Sequence, residues 1–179
     1  AGKMNKYLVR TFSSYMPAVG VSGSDGNLFT GRRIACGDGE VTCTGKVETV
    51  NPGLLHLLLA NGYVPVVSST SMDPEGEPLN INADEAALAI AAALPSTHLL
   101  FLSDVPGILK KGEVIPLLTG EDTEREIGAG IIAGGMIPKV RSSIKALEEG
   151  VEDIIIGQYT DAGDLAALLT GNSGTRIVL

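Results

Sequence analysis

The spacing of apolar residues predicts that helices and strands alternate along the chain. The first apolar segment follows one face of a helix and ends before Pro17, so we expect the chain to open on an amphipathic helix. The apolar positions of that helix are Met4, Leu8, Val9, Phe12 and Met16.

Helix-capping residues and short apolar runs predict the remaining elements. Asn51-Pro52 begins a leucine-rich helix that Asn61-Gly62 ends, and Asp38-Gly39 lies between two β-branched stretches typical of a hairpin. Further helices are predicted over 83–94, from the acidic segment 121–126, from Pro138 to 149 and over 161–170, and strands at 63–69, 98–103, 153–157 and 175–179, with a hairpin-like stretch at 113–118.

The predicted strands are continuous apolar runs that alternate with helices. This pattern is typical of a parallel sheet with helices on both faces, which is an α/β fold. With 179 residues, of which 44% are hydrophobic and 19% charged, the chain has the composition of one packed domain and not of a disordered protein. The longest clean apolar run, from Ala86 to Leu94, is half of the roughly 18 residues that a membrane span requires.

Charge and cysteine content narrow the function classes. A formal net charge of −8 makes a nucleic-acid-binding surface improbable. Cys36 and Cys43 have no CxxC or Cys/His cluster around them, so we expect free structural thiols and no metal site. His56 and His98 are interpreted as ordinary core or surface histidines. The first residues lack the blocks of a secretion signal, which predicts a cytoplasmic protein.

Three segments contain candidate chemistry, and each also has a purely structural interpretation. Asn80 and Asp84 flank a predicted helix start, where backbone N–H groups attract anions, although Asn82 could simply cap that helix. The segment 102–109 leaves a buried strand through Pro106-Gly107, and its Ser-Asp pair could hold a ribose or a base or only support a turn.

The third segment is glycine-rich and covers residues 128–139. Glycines let backbone N–H groups approach phosphates, and Lys139 adds a positive charge in the first turn of the helix that follows. The GxxxxGK[ST] spacing of a P-loop is absent. The alternative is a flexible connector with a solvated lysine.

These segments, in this order, resemble the amino acid kinase superfamily, and in particular its acetylglutamate kinase and acetylaminoadipate kinase group. The resemblance covers essentially the whole chain. It includes Gly2-Lys3-Met4-Asn5-Lys6, Val21-Ser22-Gly23-Ser24-Asp25-Gly26, the run from Gly45 to Pro52, the run from Asn61 to Ser68, and Gly174-Thr175-Arg176-Ile177.

The resemblance implies a three-layer α/β/α sandwich and ATP-dependent phosphorylation of the side-chain carboxylate of an N-acylated amino acid. It implies that Lys139 stabilises charge on the β–γ bridge oxygen, that Asp84 orients the catalytic lysines, and that Asn80 contacts the α-substituents of the substrate. It also implies a nucleotide-binding part over roughly 95–179 of a single domain. The residues implied to contact the nucleotide are Asp104, Val105, Pro106, Gly107, Ile108, Leu109, Ile131, Ile132 and Ala133.

Further implications concern cofactors and partners. ATP would bring Mg²⁺, held by phosphates and water and not by protein ligands. A homodimer or higher oligomer is expected, with a small-molecule amino-acid substrate. The chain resembles roughly the C-terminal two-thirds of the family's domain, so we expect it to lack the family's first strand with its lysine and glycines. An enzyme with another acceptor (aspartate, carbamate or a nucleoside monophosphate) and a catalytically silent nucleotide-binding module remain alternatives.

The resemblance favours the branch of the family whose acceptor is 2-aminoadipate or glutamate linked to a small acidic carrier protein, and the free N-acylated amino acid is the alternative acceptor. Arg32, Arg33 and Lys46 lie in the predicted hairpin, and Ser24 replaces a lysine common in acetylglutamate kinases. A basic patch there would steer an acidic carrier. Solvated hairpin charges are the alternative.

Overall fold

The computed structural model describes residues 2–34, 43–94 and 96–179. The chain forms two compact units, Ala1–Ala93 and Leu94–Leu179. Within the described ranges no helix has the length and apolarity needed to cross a membrane.

Over residues 2–34 and 43–93, the first unit combines three helices with two small sheets. A parallel pair joins β1 (Ala18–Ser22) to β4 (Val64–Ser68), and a four-stranded sheet has the order β2-β3-β6-β5. The other elements of the first unit are α1 (Gly2–Phe12), a 3₁₀ turn (Asp25–Asn27), β2 (Phe29–Arg33), β3 (Thr44–Val50), α2 (Gly53–Ala60), β5 (Thr70–Met72), β6 (Pro78–Ile81) and α3 (Ala83–Ala93).

The predicted hairpin is present as an antiparallel pair of β2 and β3. Its turn at Asp38-Gly39 lies outside the described residues, as does Cys36. Cys43 is a free thiol, as expected, but it is exposed and so is not a core residue.

The opening helix forms as predicted, but the side it buries is polar. Met4 and Phe12 are 64% and 40% exposed, whereas Asn5 is buried. The Asn5 amide donates to the carbonyl oxygens of Val21 and Val66 at 3.3 and 2.8 Å, which ties α1 to both β1 and β4. These hydrogen bonds satisfy the buried amide and so make the burial possible.

The second unit is built on a four-stranded sheet of order β10-β12-β11-β7. Strands β7 and β11 are parallel, and β12 runs antiparallel to β11. The core centres on Ile154, Ile155 and Ile156, which are at most 1% exposed. The elements of the second unit are β7 (His98–Ser103), β8 (Leu109–Lys110), β9 (Glu113–Val114), β10 (Leu117–Leu118), α4 (Gly120–Gly128), α5 (Met136–Glu148), β11 (Asp153–Gln158), α6 (Asp164–Leu169) and β12 (Thr175–Ile177).

The α/β class is confirmed, and several predicted helix boundaries need correction. Helix α2 begins at Gly53 and not at Pro52, which lies at the N-cap. Helix α5 begins at Met136 and not at Pro138, because a proline in the first turn removes no helical hydrogen bond. Helix α6 begins at Asp164, three residues later than predicted, because the Asp164 carboxylate accepts the N–H groups of Thr160 and Asp161 and organises that stretch as a turn.

Candidate functional site: a glycine loop, a lysine and a strand-end loop

In the first unit, Asn80 lies on β6 and Asp84 in the first turn of α3. The backbone N–H of Asn80 donates to the carbonyl oxygen of Cys43 at 2.6 Å, which fixes the strand and leaves the residue exposed. Asp84 is half-buried at the positive end of the α3 dipole. This end of α3 therefore carries an amide and a carboxylate close together in sequence.

Asn82 caps α3, as one interpretation of this segment predicted. Its Oδ1 accepts the N–H groups of Asp84 and Glu85 at 2.9 and 3.2 Å. The Glu85 carboxylate accepts the N–H of Val47 at 2.9 Å and so anchors the helix to β3. Capping is thus performed by Asn82, and it does not require the Asp84 carboxylate.

In the second unit, the loop 104–109 follows β7 and is held in a defined conformation. The N–H of Ile108 donates to the buried hydroxyl of Thr175 at 2.8 Å. Gly107 has a φ of +156°, and a Cβ there would lie 2.8 Å from the Thr175 hydroxyl oxygen and from a Val114 methyl. Glycine is therefore required by both backbone conformation and space.

Thr175 is a functional candidate to which sequence reasoning gave no role. It lies in the motif Gly174-Thr175-Arg176-Ile177, which the family resemblance included without assigning a function to it. In the structure its hydroxyl supports the loop 104–109 from β12. The motif is visible in the sequence, but the role of Thr175 depends on its hydrogen bond to Ile108, which lies 67 positions away along the chain.

The glycine-rich segment is an ordered turn between α4 and α5. The carbonyl oxygen of Glu126 accepts the N–H groups of Ile131 and Ile132 at 2.9 and 3.2 Å, and Ile132 is 1% exposed. Gly130 and Gly134 have φ values of +71° and +55°, a conformation that glycine adopts without strain. These contacts argue against a flexible connector.

The end of this glycine loop is exposed and has backbone N–H groups without hydrogen-bond partners among the described residues. Ala133, Gly134 and Gly135 are exposed, and in the described part of the chain their N–H groups make no hydrogen bond. They immediately precede α5, which has 13 residues. Unengaged N–H groups at the start of a long helix attract phosphate through both hydrogen bonding and the helix dipole.

Lys139 extends the same surface with a full positive charge. Its Nζ lies 4.9 Å from the centre of the Phe101 ring on β7, within the range of a cation–π interaction. Lys139 is half-buried and Phe101 is 6% exposed. The structure thus brings Lys139 against the strand that leads into the loop 104–109.

An ion pair joins helix α4 to the hairpin β8–β9. Lys110 Nζ donates to Glu126 Oε1 at 2.7 Å. This hydrogen bond lowers the pKa of Glu126, and burial of the carboxyl opposes it in part. Across the described ranges no group of three or more His, Cys, Asp or Glu side chains is arranged to hold a metal ion.

Comparison with known proteins identifies the family. The family model described as "Amino acid kinase family" matches residues 1–158. The chain is 43% identical over 157 residues to acetylglutamate kinase of Geobacillus stearothermophilus, covering 87% of this chain and 60% of that protein. It is 41% identical over 184 residues to acetylglutamate kinase of Synechococcus sp. strain JA-2-3B'a(2-13), covering 99% of this chain and 58% of that protein.

A solved structure has the same fold. The protein smu.665 from Streptococcus mutans UA159 superimposes with a TM-score of 0.79 at 26% identity, over 99% of this chain and 66% of that one. The chain belongs to the amino acid kinase family. It spans about 60% of the length of the Geobacillus relative.

Proposed function

We propose that the full-length protein transfers the γ-phosphoryl group of ATP to the side-chain carboxylate of N-acetylglutamate or a close analogue, giving an acyl phosphate. The relatives named acetylglutamate kinase support this acceptor. The observation that carries the proposal is the glycine loop, whose exposed N–H groups at Ala133, Gly134 and Gly135 lead into the helix that bears Lys139.

The second unit, residues 94–179, would bind the nucleotide. The loop 104–109, ordered by Thr175, and the residues Ile131, Ile132 and Ala133 would contact base and ribose, while the N–H groups of the glycine loop would bind phosphate. Mg²⁺, held by the phosphates and by water, would neutralise charge on the phosphates.

Lys139 and Asp84 would act by charge and not by proton transfer. A carboxylate acceptor is already ionised near neutral pH, so no general base has to remove a proton from it. Catalysis then depends on positioning and on neutralising the charge that develops as the γ-phosphoryl group leaves. We assign that neutralisation to Lys139 and contact with the acceptor's α-substituents to Asn80. For Asp84 we propose the role of a fixed negative charge in the full-length protein.

A carrier-linked acceptor is the second candidate, and the hairpin charges bear on it. Arg32 pairs with Glu48 at 3.1 Å, and Arg33 pairs with Asp73 at 3.1 Å. Both arginines therefore have acidic partners within the first unit, which weakens a basic patch as the reason for carrier recognition. The free acylated amino acid is accordingly the first acceptor we propose.

A coupled assay of ADP release tests the proposal. The full-length protein is offered N-acetylglutamate, N-acetylaminoadipate, the carrier-linked forms, aspartate, carbamate and a nucleoside monophosphate in turn. We expect the highest kcat/KM with N-acetylglutamate. A preference for the carrier-linked form would reverse our order of acceptors, and turnover with none of them would leave a nucleotide-binding module. Gel filtration with light scattering tests the expected homodimer.

A further inference from the structure

We propose that Glu126 is a positioning residue that holds the loop 104–109 and the glycine loop in one arrangement for nucleotide binding. This inference rests on the proposed function, because it concerns affinity for ATP. It concerns a residue to which neither the sequence nor the family resemblance gave a role.

Glu126 makes contacts in two directions. Through its backbone, its carbonyl oxygen accepts from Ile131 and Ile132, which folds the glycine loop back onto the end of α4. Through its side chain, Oε1 accepts from Lys110 Nζ at 2.7 Å. Lys110 directly follows Leu109, the last residue of the loop 104–109. Glu126 therefore connects the glycine loop to the loop 104–109.

The far side of the loop 104–109 is anchored independently. Thr175 accepts the N–H of Ile108, and the carbonyl oxygen of Ile108 accepts the N–H of Ile115 at 2.8 Å. Lys110 pairs across the hairpin with Glu113. The Lys110–Glu126 contact then links this hairpin to α4.

Stability does not explain a glutamate at this position. The Glu126 side chain is 4% exposed, and its Oε2 has no hydrogen-bond partner among the described residues. A buried carboxylate with an unsatisfied oxygen costs free energy that a leucine of similar size would avoid. Lys110 is 46% exposed, so water would solvate its ammonium group if the pair were lost.

The test compares ATP affinity and stability in variants of the full-length protein. For Glu126→Leu we expect the Kd for ATP, measured by titration calorimetry, to rise about threefold to tenfold while the unfolding midpoint is unchanged or raised. Lys110→Met should also weaken ATP binding, and it should lower stability as well, because among the described residues the buried Glu126 carboxylate keeps only Arg125 Nε at 3.6 Å. The double variant should bind ATP no worse than either single variant and should recover the stability that Lys110→Met loses. Glu126→Gln keeps an acceptor for Lys110 and should recover part of the affinity.

Glu149→Gln is the matched control, because it removes a carboxylate from an exposed ion pair with Lys145 at the other end of α5. Its Kd for ATP should equal that of the unaltered protein. If the unaltered protein binds ATP and Glu126→Leu binds equally well, the positioning role is wrong. If the unaltered protein does not bind ATP, it is the proposed function that fails. A loss of affinity matched by a loss of stability in Glu126→Leu would reduce Glu126 to a structural role.

Discussion

The ammonium group of Lys139 lies over the face of the Phe101 ring, with Nζ 4.9 Å from the ring centre. The contact joins the first turn of α5 to the end of β7, so it links the charge assigned to catalysis with the strand that leads into the loop 104–109. A cation over an aromatic face is stabilised by about 0.5–1 kcal/mol at partly exposed sites.

Phe101→Leu should therefore lower kcat about twofold to fivefold, because the lysine loses the ring that holds it. The KM for ATP should change less, since the backbone contacts of the glycine loop remain. Steady-state kinetics measure both. Ile155→Val is the control: it truncates a buried residue of β11 whose register partner is Leu100, and it should cost about 1 kcal/mol of stability with little change in kcat. Equal kcat values for Phe101→Leu and the unaltered protein would contradict the positioning of Lys139 by Phe101.

Gly20→Ala should destabilise the first unit. A Cβ at Gly20 would overlap the Asn5 Oδ1 and would lie 2.9 Å from Lys6 Nζ and from a Val9 methyl. The side chain of Asn5 would have to move, and its hydrogen bonds to β1 and β4 would be lost. We expect a loss of about 2–4 kcal/mol in the free energy of unfolding, measured with urea. Gly2→Ala meets nothing within 4 Å and should change that value by less than about 1 kcal/mol. Equal effects of the two variants would show that the Asn5 contact is dispensable.

Arg176→Met should destabilise the second unit. The Asp153 side chain is 8% exposed, and its two oxygens are bonded to Arg176 and, at 2.5 Å, to His98 Nδ1. Without the guanidinium group one oxygen of a buried carboxylate loses its partner, which costs about 3–5 kcal/mol. Thermal or urea unfolding measures the loss. The control Lys145→Met breaks an exposed pair with Glu149 and should cost less than about 1 kcal/mol. A small effect of Arg176→Met would mean that water replaces the arginine.

Stability should fall in acid, because several carboxyl groups are ionised more readily in the folded chain. The N–H groups of Thr160 and Asp161 lower the pKa of Asp164, and the N–H of Thr119, followed by Arg125, lowers the pKa of Asp122. A lowered folded pKa gives stability that is present above the unfolded value, about 3.9, and is lost as the pH falls through the folded value. Urea unfolding between about pH 7 and pH 3 should show this decline, and Asp164→Asn should flatten it. An unchanged pH profile in that variant would contradict the assignment.

The local pattern of apolar and turn residues predicts most of the helices and strands. The residue roles that it does not predict depend on contacts between residues distant in sequence. The strand His98–Ser103 was predicted with its observed bounds because it is a continuous apolar run with turn residues after it. The pairing of His98 with Asp153 could not be predicted, because strand register alone brings together residues 55 positions apart. The sequence predicts an ordinary core or surface histidine at position 98, and His98 is a surface histidine whose ring also contacts the buried Asp153 carboxylate.

The same contrast holds at the candidate site. The glycine loop and Lys139 were found from residue type and spacing. The Thr175 hydroxyl meets a backbone N–H, and Glu126 meets two backbone N–H groups and the Lys110 ammonium group. No local sequence pattern encodes these contacts. The buried side of α1 was also unpredictable, because Asn5 is buried through carbonyl oxygens supplied by two later strands.

Trapping of the acyl phosphate tests the central claim most directly. Hydroxylamine converts an acyl phosphate into a stable hydroxamate, so its ATP-dependent formation from N-acetylglutamate reports the proposed product and not merely ATP hydrolysis. The full-length protein should form it, and Lys139→Ala should form it about a hundredfold or more slowly while its Kd for ATP changes much less. ADP release without hydroxamate, or equal losses of rate and ATP affinity in Lys139→Ala, would contradict carboxylate phosphorylation with Lys139 stabilising the transition state.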